Sequence, residues 1–175
     1  MLAEAVYNRR SPKSVEILHC DSDVAVGGAS NLFIVVWRDR TTAEGVKAVG
    51  SAFETFCSRY TAETALFTIV ERGAKAPDPE AREPLALLMR AGGKQVVISA
   101  VVYEQTGFLA AAFRGVVTGL CIVARQTFPH RMFKDVEDAV RWIESERAPT
   151  GKCFRAADLL NTVASFRRII NLGKW

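Results

Sequence analysis

Apolar positions along this chain switch repeatedly between two rhythms, short β-branched runs and longer stretches with helical spacing. The run VVISAVVY, residues 96 to 103, is almost continuously apolar, the mark of a strand covered on both faces and hence of a parallel sheet between helical layers. It opens the stretch Gln95 to Ser145, which fixes the fold class by reading as strand, helix, short strand, helix. Upstream, VEILH (Val15 to His19) alternates apolar and polar and suits an edge or half-buried strand. The turn-rich DSDVAVGGASN follows, with Gly27 and Gly28 able to form a tight reversal. A hairpin with LFIVVW (Leu32 to Trp37) as its return strand is therefore predicted. ALFTIV, residues 65 to 70, reads as a further buried strand and HRMF, residues 130 to 133, as a short one.

The helical segments carry their own punctuation. Thr41-Thr42-Ala43-Glu44 has capping-box spacing, with the Thr41 hydroxyl and the Glu44 carboxylate on opposite orphan amides. The helix it starts is predicted to reach about Tyr60, burying Val46, Val49, Phe53, Phe56 and Tyr60. After ERGAKAPDP, Asp78 caps a second helix with Pro79 at its first position, and Gly92-Gly93 stops it. Pro84 implies either an irregular first turn or a start at Glu83-Pro84. Gly107 to Arg125 is apolar nearly all round, so cover on most sides is expected. Its Ala111, Gly115 and Gly119 lie four apart and form one smooth ridge. Tight docking of that ridge against the sheet is the expectation; a dimer interface or one wall of an apolar cavity are the alternatives. Asp135 caps a fourth helix burying Val136, Ala139, Val140 and Ile143, with Trp142 at its margin.

Beyond a hinge at residues 146 to 152, Leu159, Val163, Phe166 and Ile170 recur at helical spacing, with Arg167 and Arg168 beside the stripe. Docking onto the domain, or contact with an acidic membrane surface or a partner groove, both fit that helix and the terminal Trp175. The sum is an α/β domain over residues 14 to 146, built on a mostly parallel central sheet of about five strands with helices packed on it and right-handed crossovers. Residues 1 to 13 form a flexible arm, and residues 147 to 175 a basic hinge with a C-terminal amphipathic helix.

Composition sharpens this picture in three ways. The chain has 175 residues, about half of them apolar, enough for one core. Arg114 interrupts the longest apolar stretch, Phe108 to Ala124, and MLAEAVYNRR lacks an apolar signal core, so a soluble, cytoplasmic protein is expected. Cys20, Cys57, Cys121 and Cys153 are widely spaced, form no metal-binding pattern, and read as reduced structural thiols. Charge is segregated: residues 14 to 146 carry fourteen basic against seventeen acidic side chains, whereas the two ends are basic and bring the whole to +4.

Candidate chemistry is sparse. The Gly27-Gly28 loop lacks the Gly-Lys-Ser/Thr of a phosphate-binding loop and precedes a strand. His19, Cys20 and Asp21 are adjacent, but on a strand Cys20 faces away from both neighbours. His130 with Arg131 could serve an anion, a surface pair being the plainer reading. No nucleophile, base or metal grouping emerges, so no cofactor is expected and an enzyme is not. The basic residues are not interleaved with stacking aromatics, which argues against nucleic acid.

With the elements in place, Ser14 to Ser145 resembles the STAS-like superfamily of bacterial anti-sigma-factor antagonists, in particular the branch compared with CRAL-TRIO lipid-binding domains. The resemblance rests on the initial strand pair, the strand–helix alternation, and RMFKDVEDAVRWIES, which is similar to that branch's closing strand and Asp-x-Glu-x-Ala-type helix. It implies the fold and a general binding role. The family's phosphorylatable Ser or Thr would fall in Glu71 to Asp78, which contains neither. The expected function is thus a regulatory or scaffold module acting through a protein partner or self-association. Arg72, Lys75, Asp78, Arg167, Arg168 and Trp175 are the candidate contacts; the alternative is binding or carriage of an apolar ligand such as a lipid.

Overall fold

A computed structural model describes residues 14–60, 63–92, 95–105, 107–124, 127–146 and 154–173. The predicted N-terminal arm, nearly all of the hinge, Cys153 and Trp175 lie outside the described residues. The elements in order are β1 (Glu16–Cys20), β2 (Val24–Ala29), β3 (Leu32–Trp37), α1 (Ala43–Arg59), β4 (Thr64–Val70), α2 (Pro79–Gly92), β5 (Val96–Tyr103), α3 (Phe108–Ala124), β6 (His130–Phe133), α4 (Val136–Ser145) and α5 (Ala156–Asn171).

The strands form one sheet in sequence order. The pairs β1–β2 and β2–β3 are antiparallel, and β3 to β6 run parallel. Strand residues alternate between two cores. Leu32, Ile34, Phe67, Ile98, Ala100 and Val102 meet α4 and α5 on one face. Phe33, Val35, Val70, Val101 and Tyr103 meet α1, α2 and α3 on the other. The α/β architecture expected from the apolar runs is therefore present as three layers, and no described helix is long and apolar enough to cross a membrane.

The sheet has six strands rather than about five, and the difference lies at the glycines. β2 continues through Gly27 and Gly28 to Ala29, so the reversal falls at Ser30-Asn31, with Ser30 at a φ of 55°. The glycines answer to close approach instead of to a turn. A Cβ on Gly27 would sit 2.0 Å from the Glu16 carbonyl oxygen and 2.9 Å from Phe166 Cε2; one on Gly28 would sit 2.0 Å from the Leu32 carbonyl oxygen.

Helix starts differ by a residue at one place. Thr42, not Thr41, caps α1, its hydroxyl accepting from the Gly45 amide at 3.0 Å, while Thr41 is buried. The third helical residue is then Gly45, so the reciprocal Glu44 contact of a capping box has no place. α2 begins at Pro79 with Pro84 inside it. The Asp78 carboxylate, expected as its cap, instead accepts from Arg40 Nη2 at 2.7 Å. Asp135 caps α4 as predicted, accepting from the Asp138 amide at 2.8 Å.

The C-terminal helix is part of the core. Leu159, Val163, Phe166 and Ile170 are all buried against the sheet, joined by Phe154. Of the placements left open by the sequence, docking is the one observed.

Close approach at Gly27 and open space at Gly119 make a paired prediction. Gly27→Ala should lower the urea-unfolding free energy by about 1–3 kcal/mol through overpacking. Gly119→Ala, where nothing lies within 4 Å, should raise it by about 0.5–1 kcal/mol from helix propensity. A Gly27→Ala protein as stable as the parent would contradict the packing of β2 against α5.

Candidate functional site

The inner face of α2 is lined by small residues. Ala81 and Ala86 are buried, while Leu85, Leu88 and Met89 are only partly so. Beneath the helices, β4 presents Leu66 and Thr68, which remain partly accessible although β4 is a central strand. The space left over is an apolar cavity of about 120 Å³ between the sheet and α1, α2 and α3. Phe33 and Val35 of β3, Val101 of β5, Phe53 of α1, Leu88 of α2 and Val117 of α3 contribute to its walls. Among the described residues that line it there is no Asp, Glu, Lys or Arg.

Its polar wall comes from the far edge of the sheet. Ser99 on β5 and His130 on β6 are register partners and both line the cavity. His130 Nδ1 lies 3.1 Å from Ser99 Oγ, and the Ser99 amide donates to the Pro129 carbonyl at 2.9 Å. The second ring nitrogen, Nε2, is buried and has no hydrogen-bond partner. Burial lowers the His130 pKa from its ordinary value, so the ring is held neutral.

A serine beside a histidine invites a nucleophile–base reading. Ser99 is 1 % exposed, and no carboxylate among the described residues bonds the ring to orient it. The geometry fits a polar pair set in an apolar wall better than an attacking hydroxyl.

The residues singled out in the sequence fall elsewhere. Arg131 follows His130 on a strand and is exposed, stacked over Phe133 at 5.4 Å. His130 and Arg131 thus point to opposite faces and form neither an anion site nor a surface pair. His19 Nε2 bonds Asp21 Oδ2 at 2.8 Å, whereas Cys20 lies by Arg38, 3.8 Å from its Nη1. Cys20 and Cys57 are free thiols whose pKa values are pushed up by burial.

Arg167 is held internally. It donates to Glu104 at 2.5 Å and reaches Glu71 at 3.5 Å, tying α5 to the ends of β4 and β5. Lys75 pairs with Asp39 at 3.3 Å and Asp78 with Arg40, so of the described partner candidates only Arg72 and Arg168 are exposed and make no ion pair with a described residue. The Ala111, Gly115 and Gly119 ridge faces outward: all three are exposed, and nothing lies within 4 Å of a Cβ on either glycine. The expected docking against the sheet is overturned, because Ala110, Phe113, Val117, Leu120 and Ala124 form the buried face of α3 instead. Ser99 and Thr68 were missed in the sequence; the one available signal was a single polar residue inside VVISAVVY.

No protein-family model matches the chain. No curated protein matches it in sequence. Among solved structures it is similar to an uncharacterised protein of the DUF3478 family from Shewanella loihica PV-4, described as having a SpoIIAA-like fold. The two share 16% identity over 74% of this chain and 91% of that one, with a TM-score of 0.47. The fold class rests on the strand order and layering of this chain.

The neutral, half-buried ring gives a pH prediction. Its folded pKa is below the unfolded value of about 6.5, so the unfolded chain takes up a proton that the folded chain refuses. Stability contributed by the neutral ring is complete above that unfolded value and declines as pH falls from about 6.5 toward the folded pKa. Urea unfolding at pH 7.5 and 5.5 should show a smaller loss for His130→Gln than for the parent. Equal losses would show that His130 is not the group responsible.

Proposed function

We propose that this protein is a non-enzymatic, cytoplasmic binding module whose ligand is a small apolar molecule held between the sheet and helices α1 to α3. The observation that carries the reading is the 120 Å³ apolar cavity, uncharged along its described lining, with Ser99 and His130 on one wall. Ligand sites are concave and mostly apolar, with few placed polar groups, and this one has that character on a smaller scale. A cavity of roughly 150 Å³ accommodates one benzene-sized ring, so the volume favours a ring-sized body over a whole phospholipid. The alternative of a basic tail projecting to catch a partner is weakened by α5, whose apolar stripe is committed to the core and whose Arg167 is committed to Glu104.

A second reading, self-association through α3, is favoured by the outer face of that helix. Ile122 is 72% exposed beside the bare Gly115–Gly119 ridge, and Arg114 is the one charge in the helix. A second copy of the chain would cover such a face backbone to backbone.

Two experiments address these readings. Toluene added to methyl-labelled protein should shift resonances of Val35, Val101 and Val117 and raise the melting temperature by mass action, with both effects lost in Val117→Phe, which fills the space. A spectrum unmoved at saturating toluene would remove the ligand reading. For the second, light scattering should give a dimer mass that Ile122→Lys returns to monomer; a monomeric parent at high concentration would end it.

A further inference from the structure

The chemistry of the cavity wall narrows what the cavity can hold. In a neutral imidazole one nitrogen carries a proton and the other does not. If Ser99 donates to Nδ1, the free donor is Nε2–H and the serine oxygen can still accept. If Nδ1–H donates to Ser99, Nε2 is a free acceptor and the serine hydroxyl can still donate. Either way the pair keeps one donor and one acceptor unused, and Nε2 is unpartnered in the structure. A hydroxyl group, which both donates and accepts, matches the pair in either tautomer.

An anion is disfavoured at the same wall. No Lys or Arg is among the described residues lining the cavity, and the histidine is held neutral by burial. A carboxylate would enter an apolar space without a counter-charge, and burying an unpaired charge is strongly unfavourable. A purely apolar guest would leave the pair's unused donor and acceptor unmet.

We infer that the cavity takes a neutral, ring-sized apolar molecule carrying one hydroxyl, hydrogen-bonded at the Ser99–His130 wall. This rests on the ligand-binding reading above and adds the polar group that the ligand must have. Small phenols and alicyclic alcohols belong to this class; carboxylic acids ionised at neutral pH do not.

The test uses the full chain and three probes of similar size, namely phenol, toluene and benzoate, titrated by methyl NMR. Phenol should bind at least as tightly as toluene, and benzoate should not bind. In Ser99→Ala/His130→Phe, which replaces both partners with apolar groups of similar shape, phenol should weaken about tenfold, the size of one lost hydrogen bond, while toluene is unchanged. Ser99→Ala alone gives the same readout should the double variant fail to fold. Toluene binding well ahead of phenol in the parent, or benzoate binding at all, overturns this inference and leaves the ligand reading standing. Failure of all three probes to bind overturns both.

Discussion

The structure depends on a sheet that has no solvent-facing side. Between β2 and β5 every strand is covered by helices above and below, so odd and even residues alike must be apolar, and both helical layers must be present for either core to close. This constraint explains the β-branched runs, and it explains why β2 gives up side chains altogether at Gly27 and Gly28, where neighbouring backbone and the rings of Phe166 and Phe56 occupy the room. It also decides the status of α5. A helix that packs on β1 and β2, with Phe166 against Gly27, is a layer of the domain and is unavailable as a tail.

The same constraint makes the few polar residues inside informative. Thr41, Thr64 and Ser99 are the described polar side chains that are fully buried. Of these, Ser99 is paired to His130 across adjacent strands at the edge of an apolar void. A buried hydrogen bond contributes only about 0.5–1.5 kcal/mol net to the fold; on the proposed ligand-binding reading the same pair acts as the selector in an otherwise undiscriminating apolar space.

Much of the fold was legible in the sequence because burial on both faces leaves an unmistakable pattern. VVISAVVY and LFIVVW are β5 and β3, and the stripe Leu159, Val163, Phe166 and Ile170 is the buried face of α5. What was not legible depends on residues far apart in the chain. Gly27 resembles a turn glycine until Phe166 is brought beside it. α3 is apolar all round, so its periodicity could not say which side faces the sheet, and the Ala111–Gly115–Gly119 ridge turned out to face away. The cavity is assembled from side chains on β3 to β6 and on α1 to α3, and no local window contains it. Arg167 looked like a free basic residue because its partners, Glu71 and Glu104, lie at the ends of two strands made much earlier in the chain.

The late position of α5 has a further consequence for how the protein comes into being. Chains emerge from the ribosome at about 5–20 residues per second, so residues 27 and 166 appear on the order of ten seconds apart. Throughout that interval the β1–β2 end of the sheet's second face, with Ile17 and Ala25, has no cover from α5. The nascent domain is thus a half-covered sheet, the state in which chains pair wrongly with one another, and the arrival of Phe166 against Gly27 is the event that ends its exposure.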